Sequence, residues 1–218
     1  MINHLLKNTF SQVVCYLKNA NNIGISNDFR DIYYLIDYLV YAVEQIYPQI
    51  PCKPKCNECC KGLISFPVTG LEWKLIKNYM FSSINTDTQS KIFKQAEYFQ
   101  QQQINFSLNN IMQLYKMINK LTDLEHENLV CPFLIDDLCS IYPVRPVVCR
   151  FYGYFILKAE NPSDEHSVCM CKSAFTQHRI EELILPACNK FIDKIRELNR
   201  LYNKVETLPV WVSSLYPA

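Results

Sequence analysis

The chain has 218 residues, 49% of them apolar and 20% charged, the composition of a globular protein long enough to bury a sizeable core. Its net charge of +1 gives no overall pull towards nucleic acid or an anionic membrane surface. Only four glycines occur, which excludes the Gly-rich phosphate loops of the common nucleotide-binding folds.

The N-terminal stretch MINHLLKNTFSQVVCYLKNA is broken by Asn, Lys, Thr, Ser and Gln and lacks the continuous apolar core of a secretion signal. No run approaches the roughly 18 apolar residues of a spanning helix, so a soluble, cytoplasmic chain is expected. Leu5, Leu6, Phe10, Val13, Val14 and Leu17 recur at helical spacing, and Cys15 on that helix reads as a buried structural thiol. Phe29, Ile32, Tyr33, Ile36, Leu39, Val40, Val43 and Tyr47 mark a second helix, capped by Asn27 or Asp28. Pro48, Pro51 and Pro54 end it and hold the chain extended into PCKPKCNECCKG, which packs four cysteines into nine positions.

LISFPV is short and β-prone, and Thr69 with Glu72 forms a capping box that opens a helix carrying Leu71, Leu75, Ile76 and Tyr79. A Gln-rich helical stretch is expected from about Thr88 to Leu121, in one or two pieces. Its QQQQ run at 100–103 reads as a solvated face beside Phe93, Ala96, Phe99, Ile104 and Phe106, and a charged DLEHEN segment follows. CPFLIDDLCSIY predicts a tight hairpin turning at Asp136-Asp137, with Cys131 and Cys139 on its arms. The prolines of YPVRPVV argue against a regular helix and for a rigid loop that brings Cys149 round. FYGYFILK suggests a strand, CMC at 169–171 follows a polar loop, and Pro186 opens a last helix with Phe191, Ile192, Ile195, Leu198, Leu201 and Tyr202 on its core face.

Eleven cysteines is high usage, and in a reducing cytosol thiols at short spacings bind metal more often than they form disulfides. Cys56 and Cys59 stand at the two-residue separation that presents both sulfurs to one ion, and Cys52 sits a turn earlier. Adjacent side chains generally diverge, so Cys59 and Cys60 are not expected to share one ligation role. With Cys131, Cys139 and Cys149 the chain offers seven thiols, more than one tetrahedral zinc needs. Lys53, Lys55 and Lys61, and Arg145 and Arg150, either screen thiolate charge or are ordinary solvated loop cations. His4, His126, His166 and His178 lack motif spacing and read as solvated. Soft thiolates suit zinc and iron–sulfur clusters alike.

The pattern C-x3-C-x2-C-C followed by CPFL…C-x-IY-x-x-RP-x-x-CR resembles the YkgJ-like cysteine-cluster family, whose signature is written CxxCxxCC and which is described as chelating zinc or iron. The likeness runs from about Cys52 to Phe155; one extra residue between Cys52 and Cys56 and the Gln-rich insertion depart from it. The resemblance implies a metal cluster held by Cys52, Cys56, Cys59, Cys60, Cys131, Cys139 and Cys149. Cys169 and Cys171, one residue apart, make a poorer chelate, and Cys188 reads as core. The number and spread of the thiols tilt the reading towards a [4Fe–4S] cluster over zinc.

The fold expected is mainly α, with a small β-hairpin element around a cysteine-rich metal site. It forms a single domain, 1–218, with a metal-binding region at 52–155 and helical flanks at 1–50 and 173–205. Its partners are a metal ion or cluster and a protein substrate or partner, with neither nucleic acid nor membrane among them. The cluster domain is also similar to that of flagellin lysine N-methylase, which implies an alternative: an iron–sulfur-dependent protein-lysine methyltransferase. For the residues near the second cluster, Tyr142, Tyr152 and Tyr154 read as packing aromatics, and Asp136 and Asp137 as turn acids.

Overall fold

The structure, a computed structural model, describes residues 2–50, 52, 56–61, 66–101, 130–158, 167–169 and 184–215. In chain order these form α1 (Ile2–Asn19), α2 (Ile32–Ile46), β1 (Pro67–Thr69), α3 (Gly70–Ser83), α4 (Thr86–Gln101), β2 (Leu134–Ile135) and β3 (Leu138–Cys139). There follow α5 (Val147–Phe151), β4 (Phe155–Leu157), β5 (Ser167–Cys169), α6 (Asn189–Leu198), β6 (Val205–Thr207) and α7 (Leu208–Ser213). Short 3-10 turns lie at Glu58–Cys60, Tyr142–Val144 and Asn199–Leu201. The fold is thus mainly α with a small antiparallel β component, in which β1 pairs with β6, β2 with β3 and β4 with β5. Among the described residues no helix is long and apolar enough to cross a membrane.

Two compact units make up the chain, the first from Met1–Pro54 and Val147–Arg200, the second from Lys55–Pro146 and Leu201–Ala218. In the first, α1 packs on α2 and α6, and α2 packs on α5. The inward stripe of α1 is Leu6, Val13, Leu17 and, just past its end, Ala20, whereas Leu5 is exposed. Cys15 is exposed too, against expectation. It stands two residues from both Val13 and Leu17, about 200° round the helix, and so faces away from the core.

The cap of α2 is Asp31, not Asn27 or Asp28. Its buried carboxylate accepts from the backbone of Tyr33 and Gly24 and from the Ser26 hydroxyl, which removes the cost of burying it. Phe29 therefore lies before the helix and stays partly exposed, stacked on Tyr16. Phe151, Phe155 and Phe191 form an aromatic knot with centroids 4.9–6.0 Å apart.

Two expectations around this core are corrected. Cys149 sits in a helical turn, α5, which begins directly after Pro146 because proline, lacking an N–H, is tolerated ahead of a helix and not inside it. Pro186 does not open the last helix. Its carbonyl accepts from Ile156, and Cys188 N–H donates back to Ile156, so the segment runs strand-like beside β4 until α6 starts at Asn189. Cys188 is fully buried, as expected.

In the second unit the capping box of α3 forms as read. Thr69 Oγ1 accepts from Glu72 N–H, and the buried Glu72 carboxylate accepts from Thr69 N–H at 2.9 Å. The face of α3 turned inward is Trp73, Ile76 and Met80, with Leu71, Leu75 and Tyr79 half-buried. Ile92 and Ala96 of α4 join this core, which α7 closes through Trp211 stacked on Trp73. The Trp211 indole N–H donates to Val68 O at 2.9 Å, tying α7 to β1. Leu201 is 95% exposed and Tyr202 is exposed as well, since α6 ends at Leu198 and carries no stripe that far.

Outside the described residues fall Lys53 and Lys55, the start of LISFPV, the side chains of the QQQQ run, the helical expectation beyond 101, DLEHEN, three of the four histidines, Cys171 and the side chain of Cys169. His4 is exposed.

Candidate metal centre

The hairpin that carries the second cysteine group is built by its turn. Asp136 and Asp137 have φ of 50° and 62°, the left-handed pair of a two-residue type I′ turn, which aspartate tolerates better than most side chains. Leu134 then pairs with Cys139 and Ile135 with Leu138. Cys139 stands on β3 as expected, whereas Cys131 lies just before β2, its carbonyl accepting from Leu134 N–H at 2.9 Å. Both cysteines pack partly buried against the core of the second unit.

The first cysteine group folds onto this hairpin. Asn57 heads the 3-10 turn Glu58–Cys60, and Lys61 bridges antiparallel to Val130. Cys131 N–H donates to Cys60 O at 2.8 Å, so backbone pairing brings together thiols 71 positions apart. Asp137, at the hairpin tip, reinforces the contact. It accepts from the Asn57 amide through its carbonyl and its carboxylate, and it pairs with Lys61 at 2.9 Å. Of the lysines interleaving the first group, Lys61 is thus engaged by Asp137, which holds its pKa above the usual lysine range.

Cys59 and Cys60 do not diverge. Their sulfurs are 4.0 Å apart at the end of the 3-10 turn Glu58–Cys60. Two sulfurs on one tetrahedral metal at about 2.3 Å would lie about 3.8 Å apart. The pair therefore matches the edge of a single coordination shell. The neighbouring Cys131 thiol first, then burial and the nearby Cys139, push the Cys60 pKa up, against an opposing effect of Cys59. Cys56 is exposed at the entry to the turn. Among the described residues no group of three or more His, Cys, Asp or Glu side chains is already gathered as a metal-holding set. The donor chemistry nevertheless fits a soft metal: half-buried thiols and a pair at ligand spacing.

Cys52 and Cys149 belong to the first unit. Both are partly exposed, Cys149 on α5 and Cys52 beside the turn at Gly153. Arg150, next to Cys149, does not reach into solvent as a loop cation. Its buried guanidinium lies 4.0 Å over the Tyr33 ring and pairs with Asp37 at 2.5 Å, anchoring α5 to α2. Arg145 stacks on the Tyr142 ring at 4.0 Å. Sequence reasoning missed the roles of Asn57 and Asp137 in joining the two cysteine groups; the aspartates at the hairpin tip were visible beforehand as turn formers alone.

The family model CxxCxxCC, "Putative zinc- or iron-chelating domain", matches residues 51–172, more than half of the chain. No curated protein and no solved structure matches it.

Proposed function

The chain belongs to the CxxCxxCC family, whose business is zinc or iron, and from that premise we propose that it holds its metal through cysteine thiolates alone. The observation that carries this reading is the Cys59–Cys60 thiol pair at ligand spacing, with Cys60 bridged through its backbone to Cys131 and Cys139 on the adjoining hairpin strand. Cys56 precedes that turn and completes the second unit's share of the donors. Cys52 and Cys149 enter the proposed ligand set on the resemblance. A set of this size suits a [4Fe–4S] cluster at least as well as a single zinc ion, and we favour the cluster. The bound metal supplies positive charge that neutralises the thiolates, and its binding energy adds to the folding energy of the residues that hold it.

The deciding experiment is metal content and visible absorbance of the full chain purified without oxygen. Brown protein with about four irons per chain supports the cluster. Colourless protein with stoichiometric zinc replaces the cluster by zinc, and protein that retains neither metal refutes the thiolate reading. The methyltransferase alternative requires the cluster. It is tested by S-adenosylmethionine binding to the iron-loaded chain, and zinc as the sole metal would remove it.

A further inference from the structure

Four residues after Cys149 the chain turns at Gly153, whose φ of +89° lies where L side chains rarely go. A Cβ built on Gly153 would land on the Sγ and Cβ atoms of Cys52. The cysteine side chain therefore fills the space that any other residue at 153 would claim for itself. The next residue, Tyr154, is buried, and its hydroxyl has a single proton and two acceptors. It donates that proton between the carbonyl oxygen of Cys52 and, at 2.7 Å, the Glu44 carboxylate on α2, which compete for it. All of these groups belong to the first unit. Backbone conformation, side-chain space and a buried hydrogen bond thus converge on one cysteine, at the turn that follows the Cys149 helix.

We propose that Gly153 and Tyr154 are positioning residues for Cys52: they fix its backbone and aim its thiol, so that it meets the metal already oriented. The inference rests on Cys52 being a ligand, as proposed above. Glycine at 153 leaves room for the thiol, and the Tyr154 hydroxyl stops the peptide of Cys52 from rotating away. A donor held in this way loses less conformational freedom when the metal binds, which is how groups behind the ligands raise affinity.

The test uses the full chain with whichever metal it retains, zinc or iron, and measures metal per chain and affinity by competition with a chromophoric chelator. The variants are Cys52→Ser, Tyr154→Phe, Gly153→Ala and the double variant Cys52→Ser/Tyr154→Phe. Tyr154→Phe is expected to weaken binding about 10- to 100-fold, the usual cost of losing an outer partner of a ligand. Gly153→Ala is expected to weaken it at least as much. In the Cys52→Ser background the tyrosine change is expected to do nothing further, since its effect is exerted through Cys52. If Cys52→Ser weakens binding while Tyr154→Phe binds like the unaltered chain, the inference is overturned and the ligand reading stands. Full additivity of the two changes overturns it as well, because a merely structural tyrosine would act in both backgrounds. If Cys52→Ser itself binds normally, the ligand assignment fails and takes this inference with it. Tyr154→Phe keeps its ring and carries the test even where Gly153→Ala does not fold.

Discussion

A thiol pressed against other thiols gives up its proton reluctantly, and Cys60 is such a thiol. The neighbouring Cys131 thiol and burial favour the protonated form, so at neutral pH the metal must displace a proton to bind there. Metal affinity is therefore expected to rise with pH across about pH 6 to 8, with proton release that a weakly buffered titration would register. A pH-independent affinity would show that binding displaces no thiol proton, from Cys60 or any other cysteine. Substitution separates the cysteines by place. Cys60→Ser and Cys131→Ser are expected to lower affinity by more than the roughly 10- to 100-fold seen for outer partners. Cys15→Ser, on the solvent face of α1, is expected to leave both metal content and melting temperature unchanged. Equal loss in all three variants would mean that the cysteines were acting through the fold rather than as ligands.

Among the elements, α3 is set by Thr69 and Glu72, which satisfy each other's groups at its first turn. Thr69→Ala should cost about 1 kcal/mol in urea unfolding of the full chain, with no direct effect on metal stoichiometry. The hairpin tip offers a second test, since Asp137 holds Asn57 and Lys61 beside it. Such exposed contacts contribute little, so Asp137→Ala should weaken metal binding by at most about fivefold, and less in high salt. Asp137→Asn, which keeps the amide contact and tolerates positive φ, should fall between. These two elements were legible in the sequence because their determinants are local: a box spanning four residues and a turn of two. The rest depended on partners far along the chain. Nothing near Cys59 and Cys60 revealed that their sulfurs would approach, and the cap was read at Asn27 or Asp28 where Asp31 instead finds the donors of Gly24 and Ser26. β6 and α7 went unread because β6 has meaning only against β1, and the Trp211 that anchors α7 only against Val68 and Trp73.

For the molecule as a whole, a ligand that binds only the folded chain raises its stability by mass action. Metal present at about a thousand times its dissociation constant adds about 4 kcal/mol, which for a chain of this size is a shift of about 10 °C in melting temperature. Stripping with a chelator should lower the melting temperature by that order, and readdition of the metal should restore it. An unchanged melting curve would mean that the metal is carried without supporting the fold. The same organisation has a consequence for birth rather than stability. Each unit is assembled from two stretches of sequence that alternate along the chain, and β1 at 67–69 waits for β6 at 205–207. On the ribosome neither unit can close until most of the message has been read. The first cysteine group emerges long before the hairpin that it folds against, and through that interval its thiols wait for the strand that completes their setting. A metal that needs both groups is thus expected to load after synthesis, at a time set by the arrival of the late segments.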